Sequence, residues 1–485
     1  MSQNNATGAA FLAGPLLIAR GVDADGCRLA AILVTPDTQP PPDLFPEDGE
    51  PVTPTVLASA FGWAVRRYDF VLPRRAGGAT YTIDGRTWRV QTEPDGPRLR
   101  IAYTSCNGQE HDDLFNPRLA RNTMWHRLGL EHGSDPFALL LQGGDQLYAD
   151  NVWHCHPELQ AWAAYPVETR LRTPLSEEAA IAVRRFYWTH YVQLWSQPDV
   201  APLLAEIPSL MMWDDHDIFD GWGSHAAEFQ ACPAWRTIYA AAREAFALFQ
   251  LGGTPGQPPE TCLSDAQPGF SWCCRYGDTA IVAPDLRSER TSDRIMGVGG
   301  WQAVERWRRD LVDSRHVLVM SSVPALGPRL SWIERLMGVI PHAQRYEDDL
   351  RDQWQSRAHR HEWQVFLQHW LDLMGDGPRV TLLSGEIHLA TRGTMTGTEG
   401  TLHQLVASGM AHPPPPRGYA RALGGLARLG ESPLPGHPIA LHALPGRRGI
   451  YVAERNYLVL ERNHASWSAR WETEDGGPTP HLDLT

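Results

Sequence analysis

Phe137-Ala138-Leu139-Leu140-Leu141-Gln142-Gly143-Gly144-Asp145-Gln146-Leu147-Tyr148 runs from an apolar stretch through a glycine pair to a carboxylate and a phenol. The apolar residues read as a buried strand, and parallel α/β sheets place their chemistry at the carboxyl ends of such strands. Three further stretches have the same form: Ser105-Cys106-Asn107 after the run 100–103, Trp213-Asp214-Asp215-His216-Asp217 after 209–212, and Ser384-Gly385-Glu386-Ile387-His388 after 380–383. Ionisable groups at the edge of a core cost free energy unless they are paired or bound to metal. Four such clusters in one chain point to a single binuclear metal site and to a metal-dependent hydrolase.

Outward from these stretches, the chain beyond residue 98 alternates strand-like runs with segments of helical spacing. The runs include 279–283, 316–320 and 402–406, and the helical segments are 177–193, 233–251 and 302–312. That alternation predicts a layered α/β domain over 98–485. Residues 1–97 have a different texture, with Pro, Gly, Asp and Thr between short apolar runs, and predict a small N-terminal β-sandwich that ends near Asp95-Gly96-Pro97. Within it, Asp84-Gly85 marks a hairpin turn before Thr87-Trp88-Arg89-Val90. The proline run 413–416, preceded by His412, reads as a rigid surface connector.

Composition excludes several classes of function. The chain has 485 residues, 42% of them hydrophobic, enough for real cores. A net charge of −13 argues against a general nucleic-acid or anionic-membrane surface. All 43 basic residues are arginine, so P-loop, Schiff-base and kinase-type lysine chemistry is absent, and any cationic phosphate clamp must be arginine. Seven cysteines without a zinc-type pair do not describe a disulfide scaffold and fit a reducing compartment. The apolar piece 11–19 lacks preceding basic residues and is interrupted by Pro15, so a signal peptide is not expected, and the reading is cytoplasmic.

The residue types suggest roles. Asp145, just past a buried strand, is placed to bridge two cations that share a hydroxide. Tyr148 and Cys106 offer phenolate and thiolate, donors suited to a readily oxidised transition metal more than to magnesium. In the acidic run 214–217, one carboxylate would face the metals, His216 would face substrate, and the other acids would lie outward or orient the imidazole. Glu386 and His388 alternate along what reads as an extended segment and so would share one face. Arg287 and Asn107 could donate to phosphate oxygens. His225, His111, His154 and His156 read as solvated or supporting residues, Asp150 and Asp220 as acids that orient ligands or hold an extra calcium, and the tryptophans 153, 162, 188 and 195 as core.

Together these motifs resemble the alkaline phosphatase D (PhoD-like) branch of the metallophosphoesterases, with Asp285-Leu286-Arg287-Ser288-Glu289-Arg290 and Ser321-Ser322-Val323-Pro324 similar to its intervening signatures. The likeness covers about residues 98–410. It implies a four-layer αββα sandwich and a phosphoric ester hydrolase, mono- or diesterase, using a hydroxide bound by two metals. It also implies ferric iron held by Cys106, Asp145, Tyr148 and His388, and calcium or another divalent ion held by Asp145, Asp215 and Glu386. His216 would sit over the scissile phosphate. Two departures stand out: Glu386 replaces the usual Asp, and Asp215 the Asn of related phosphatases. The competing readings are a noncatalytic metal- or partner-binding protein of the same fold, and a metal-dependent hydrolase acting on another ester.

Overall fold

A computed structural model describes residues 11–108, 121–263, 269–328 and 352–484. The chain is mixed α/β, and its strands gather into two large sheets and one small one. At the centre of the first sheet, Arg98–Thr104, Leu139–Gly143 and Ser209–Met212 run parallel, paired Tyr103 to Leu141 and Leu141 to Leu210. These are the apolar runs that end in the chemistry-bearing stretches. In the second sheet Thr279–Ala283, His316–Ser321, Arg379–Ser384 and Thr401–Val406 are parallel neighbours.

Strand alternation explains how the sheets stack. Leu318, Met320 and Leu383 join the same core as Leu140 and Ile101 of the first sheet. Their neighbours Val317, Val319 and Leu382 point the other way, into a second core with Trp307, Trp363, Phe366 and Trp370. Those aromatics lie on Val298–Asp310 and Arg360–Gly375, helices that cover the outer face. Both faces of the strands are therefore apolar, as parallel sheets require. Glu177–Trp195 and Pro233–Phe246 form as their spacing predicts; Ser176 caps the first by accepting from the Ala179 amide. No helix among the described residues is long and apolar enough to cross a membrane.

The N-terminal strands do enclose a core of their own, with Leu29, Leu33, Tyr68, Tyr81 and Ile83 between Ala13–Val22, Cys27–Pro36 and Trp63–Leu72 on one side and the small sheet of Leu44–Pro46, Ala79–Ile83 and Arg86–Val90 on the other. Asp84 and Gly85 form the expected hairpin turn, both with positive φ (51° and 71°). Yet the larger of these sheets does not stand apart. Ala13–Val22 pairs in parallel with Ser209–Met212, Ile18 opposite Ser209, so the N-terminal strands continue the first large sheet. The open edge of Ser209–Met212 is what recruits them. At its far side the same sheet is extended by the C-terminal strand Asn456–Asn463, antiparallel to Arg98–Thr104.

Inside the second sheet His316 is 1% exposed, with one ring nitrogen 2.9 Å from Thr381 Oγ1 and the other, Nδ1, without a partner. Burial, with the Arg379 charge, pushes it down to about 3. Such a group contributes stability above its unfolded value near 6.5 and loses it as pH falls toward the folded value. Between those limits His316 should steepen the loss by about 1.4 kcal/mol per pH unit. In urea unfolding at about pH 6 and 4.5, His316→Asn should show a shallower fall than the parent, and identical slopes would refute the assignment.

Candidate metal centre

The carboxyl ends of the central strands of both sheets meet at one place. The Cys106 amide donates to Gly144 O at 3.2 Å, the Asn107 amide to Asp145 O at 2.8 Å, and the Gly385 amide to Ser322 O at 3.1 Å. Ser322 Oγ donates to Asp214 Oδ1 at 2.7 Å. Glycine is required at this junction: Gly144 has φ +104° and a Cβ there would lie 2.8 Å from Asp214 Cβ, while one on Gly385 would lie 2.5 Å from Ser105 Cβ. Cys106, Asp145, Glu386 and His388 all carry positive φ, between 52° and 63°. For residues with a side chain this costs about 1–2 kcal/mol each, and such outliers cluster where function holds them.

The extended segment expected for Glu386 and His388 is therefore corrected. The chain bends at 386–389, with the Ile387 amide donating to Gly385 O, and the two side chains meet different partners. Glu386 turns to Gln353, whose Nε2 lies 2.7 and 2.8 Å from its two oxygens. His388 stacks on His412, centroids 3.5 Å apart and planes at 8°.

Oxygens of Asp145, Asp214 and Asp215 come within 4.8 Å of one another. Cys106 Sγ is 3.5 Å from Asp145 Oδ2. Burial and then Asp214 push the Asp145 carboxyl well above its usual range; burial and then Asp145 do the same to the Cys106 thiol. Several buried polar atoms here have no hydrogen-bond partner: Asp145 Oδ1, Asp214 Oδ2, His388 Nδ1 and Asn107 Nδ2. Burial, then His412, holds His388 well below its ordinary value, which leaves it a neutral imidazole able to ligate. Crowded anionic donors with open lone pairs fit a cation, and thiol, phenol and imidazole fit a transition metal better than magnesium.

Arg287 lies inside this arrangement and makes no opening toward substrate. It is 0% exposed, and Nε meets Asp214, Nη1 meets Asp352 Oδ1 at 2.8 Å and Trp222 O at 3.2 Å, and Nη2 meets Asp352 Oδ2 at 2.6 Å and Asp215 Oδ1 at 3.4 Å. Its donors are used in balancing three carboxylates, so the grip on phosphate expected of it is replaced by charge compensation. Asn107 stands differently. Its Oδ1 accepts from Trp125 Nε1 at 2.6 Å, which aims the unpartnered Nδ2 elsewhere.

His216 is oriented by Asp150, Nδ1 to Oδ2 at 2.9 Å, and not by Asp214 or Asp217. Burial lowers its proton affinity, but Asp150 and Asp215 outweigh that and hold it well above its ordinary value. Its ring stacks on Tyr148 at 4.3 Å. None of the acids in 214–217 lies outward. Asp217 is fully buried and accepts from the amides of Asp145 (2.9 Å), Leu147 (3.0 Å) and Asp214 (2.9 Å). His412, expected on a surface connector, instead reaches the site, where its ring tilts against Tyr148 at 5.6 Å. Asp352 and Gln353 were not visible as site residues, because nothing near them in sequence carries a motif. His111 lies outside the described residues.

The family model described as PhoD related phosphatase matches residues 116–347, a stretch that contains Asp145, Tyr148, Asp214–Asp217 and Arg287 but not Cys106, Glu386 or His388. The chain is 26% identical over 397 residues to the uncharacterized protein YGR266W of Saccharomyces cerevisiae, covering 67% of this chain and only 56% of that relative's length. Among solved structures, one described as the structure of PhoD matches 100% of this chain and 94% of its own, with TM-score 0.61 and 12% identity. A weaker likeness, TM-score 0.39 at 9% identity over 80% of this chain and 89% of the other, is to GAP50 of Plasmodium, described as the anchor in the inner membrane complex.

Asp145→Asn should lower the content of every metal the protein carries, because its carboxylate lies beside both the Cys106 thiol and the acids Asp214 and Asp215. Glu386→Gln, set apart on Gln353, should lower the content less. Elemental analysis after exhaustive dialysis reads this directly, and equal metal in the parent and Asp145→Asn would end the central role of Asp145.

Proposed function

Starting from a chain that is PhoD-like in family and in fold, we propose that it is a metal-dependent phosphoric ester hydrolase acting on mono- or diesters. The observation that carries this reading is the group Asp145, Asp214 and Asp215 with open donor atoms beside an imidazole held on a separate carboxylate. Cys106, Asp145, Tyr148 and His388 would hold one ion, an iron by the softness and charge of the set. Asp145 and Asp215, with Glu386 if it leaves Gln353, would hold a harder divalent ion such as calcium. Cations there supply Lewis-acid polarisation and a water of lowered pKa.

The chain's own groups account for the rest. Phosphoryl transfer spreads negative charge over the equatorial oxygens and onto the leaving oxygen. Asn107 Nδ2, buried and without a partner, is free to donate to one of those oxygens. His216 has Nδ1–H held by Asp150, so in the imidazolium form that this carboxylate favours Nε2 carries the second proton, the one to be given to the leaving oxygen. Tyr148, stacked on its ring, fixes the plane in which that proton is offered. Arg287 keeps Asp214 and Asp215 in place.

Aryl phosphate mono- and diesters should be cleaved by the metal-loaded protein while an aryl carboxylate ester is not. His216→Ala should slow alkyl phosphate esters by about two to four powers of ten and nitrophenyl esters, whose leaving groups need little protonation, by less. Metal content should be unchanged. Loss of metal, or equal slowing of both ester types, would show that His216 is a ligand or a phosphate-positioning group instead of the acid.

A further inference from the structure

We infer that Gln250 is a positioning residue for Asp145, and that the N-terminal strands act on the metal centre through it. The role rests on the reading of Asp145 as a metal ligand. Asp145 sits at φ +55°, a conformation that must be held from outside. What holds it is Asp217, whose carboxylate binds the amides on both sides of the turn, at Asp145 and Leu147. A carboxylate so placed must itself be fixed. Gln250 Nε2 does this from below, 2.9 Å from Asp217 Oδ1 and 2.9 Å from Tyr191 OH. Because a carboxylate only accepts, the amide nitrogen of Gln250 must face it.

Gln250 lies 0% exposed in a single π-helical turn, Ala247–Leu251, which continues the helix Pro233–Phe246. Such turns are rare and need support where their carbonyls run free. The support comes from the N-terminal strands. Arg20 Nη2 donates to Leu251 O at 2.8 Å and Arg67 Nη1 to Gly252 O at 3.0 Å. Arg20 occupies a break in register, since Ala19 pairs with Leu29 and Gly21 with Arg28, and a bulge of this kind re-aims the extra side chain. Gly252, at φ +64°, lies so close to those strands that a Cβ would be 2.9 Å from Arg20 Nη2, Ile18 Cδ1 and Ile32 Cδ1. Phe249 stacks on the ring of Tyr191 at 4.9 Å, which keeps the phenol under Gln250. Hydrogen bonds thus run from Arg20 and Arg67 to the end of the turn, the backbone joins Leu251 to Gln250, and hydrogen bonds resume from Gln250 through Asp217 to the Asp145 amide.

The test is Gln250→Leu, of similar size without the amide, measured with Co2+ as the probe ion and by amide exchange of the segment 143–148. Supporting partners of this kind are worth about 10–100-fold in metal affinity, so Co2+ should bind about tenfold more weakly and the segment should exchange faster even without metal. Gln250→Asn, which keeps an amide but shortens its reach, should shift both readouts the same way and serves if the leucine variant does not fold. Val304→Ala, in the core behind the second sheet, controls for general destabilisation and should move neither. Unchanged Co2+ affinity and exchange in the Gln250 variants, or equal shifts in Val304→Ala, would overturn the inference. Should the parent take up no Co2+, the metal reading fails, while the exchange of 143–148 still judges the role of Gln250.

Discussion

Three carboxylates buried within 4.8 Å of one another are the constraint on which the site and much of its surroundings depend. Like charges at that spacing, out of water, cannot all remain ionised without compensation. On one side the compensation is built in: Arg287, itself invisible to solvent, spans Asp214, Asp215 and Asp352. On the other side lie donor atoms with no protein partner, and a cation is the group whose charge and coordination answer them. Of the three carboxylates Arg287 answers Asp214 and Asp215, and Asp145 keeps an oxygen that no hydrogen bond reaches.

Much of this was legible in the sequence because strands announce themselves by unbroken apolar runs. The runs before Cys106, Asp145, Asp214 and Glu386 all became strands, and those four residues lie just past their carboxyl ends. Local conformation was not legible. Nothing in Gly385-Glu386-Ile387-His388 signals that two of its residues adopt positive φ, so the strand alternation read there does not hold. Long-range partners were equally hidden: an Arg in a loop reads the same whether it meets phosphate or Asp352, and only the fold brings residues 287 and 352 together. His412 shows the reverse case, where a proline run read as a mere connector carries a ring into the centre.

The N-terminal segment differs most from its sequence reading. Texture alone separates residues 1–97 from the remainder, and the described strands between 13 and 90 do bury a core of their own. Texture does not report that one of their strands will pair with Ser209–Met212, far along the chain. Parallel pairing of Ile18 with Ser209 makes one continuous surface of what composition divides.

That continuity bears on how the chain is made. The strand around Ile18 leaves the ribosome about 190 residues ahead of Ser209, which at 5–20 residues per second is a wait of roughly 10–40 s with an unpaired edge. The other flank waits longer still, because Tyr103 pairs with Leu458, a separation nearly twice as great. Contacts of such separation make for slow folding. Newborn chains therefore pass through a period in which apolar strands are exposed on both sides of a half-built sheet, and production in cells should depend on chaperone supply and growth temperature more than the finished fold would suggest.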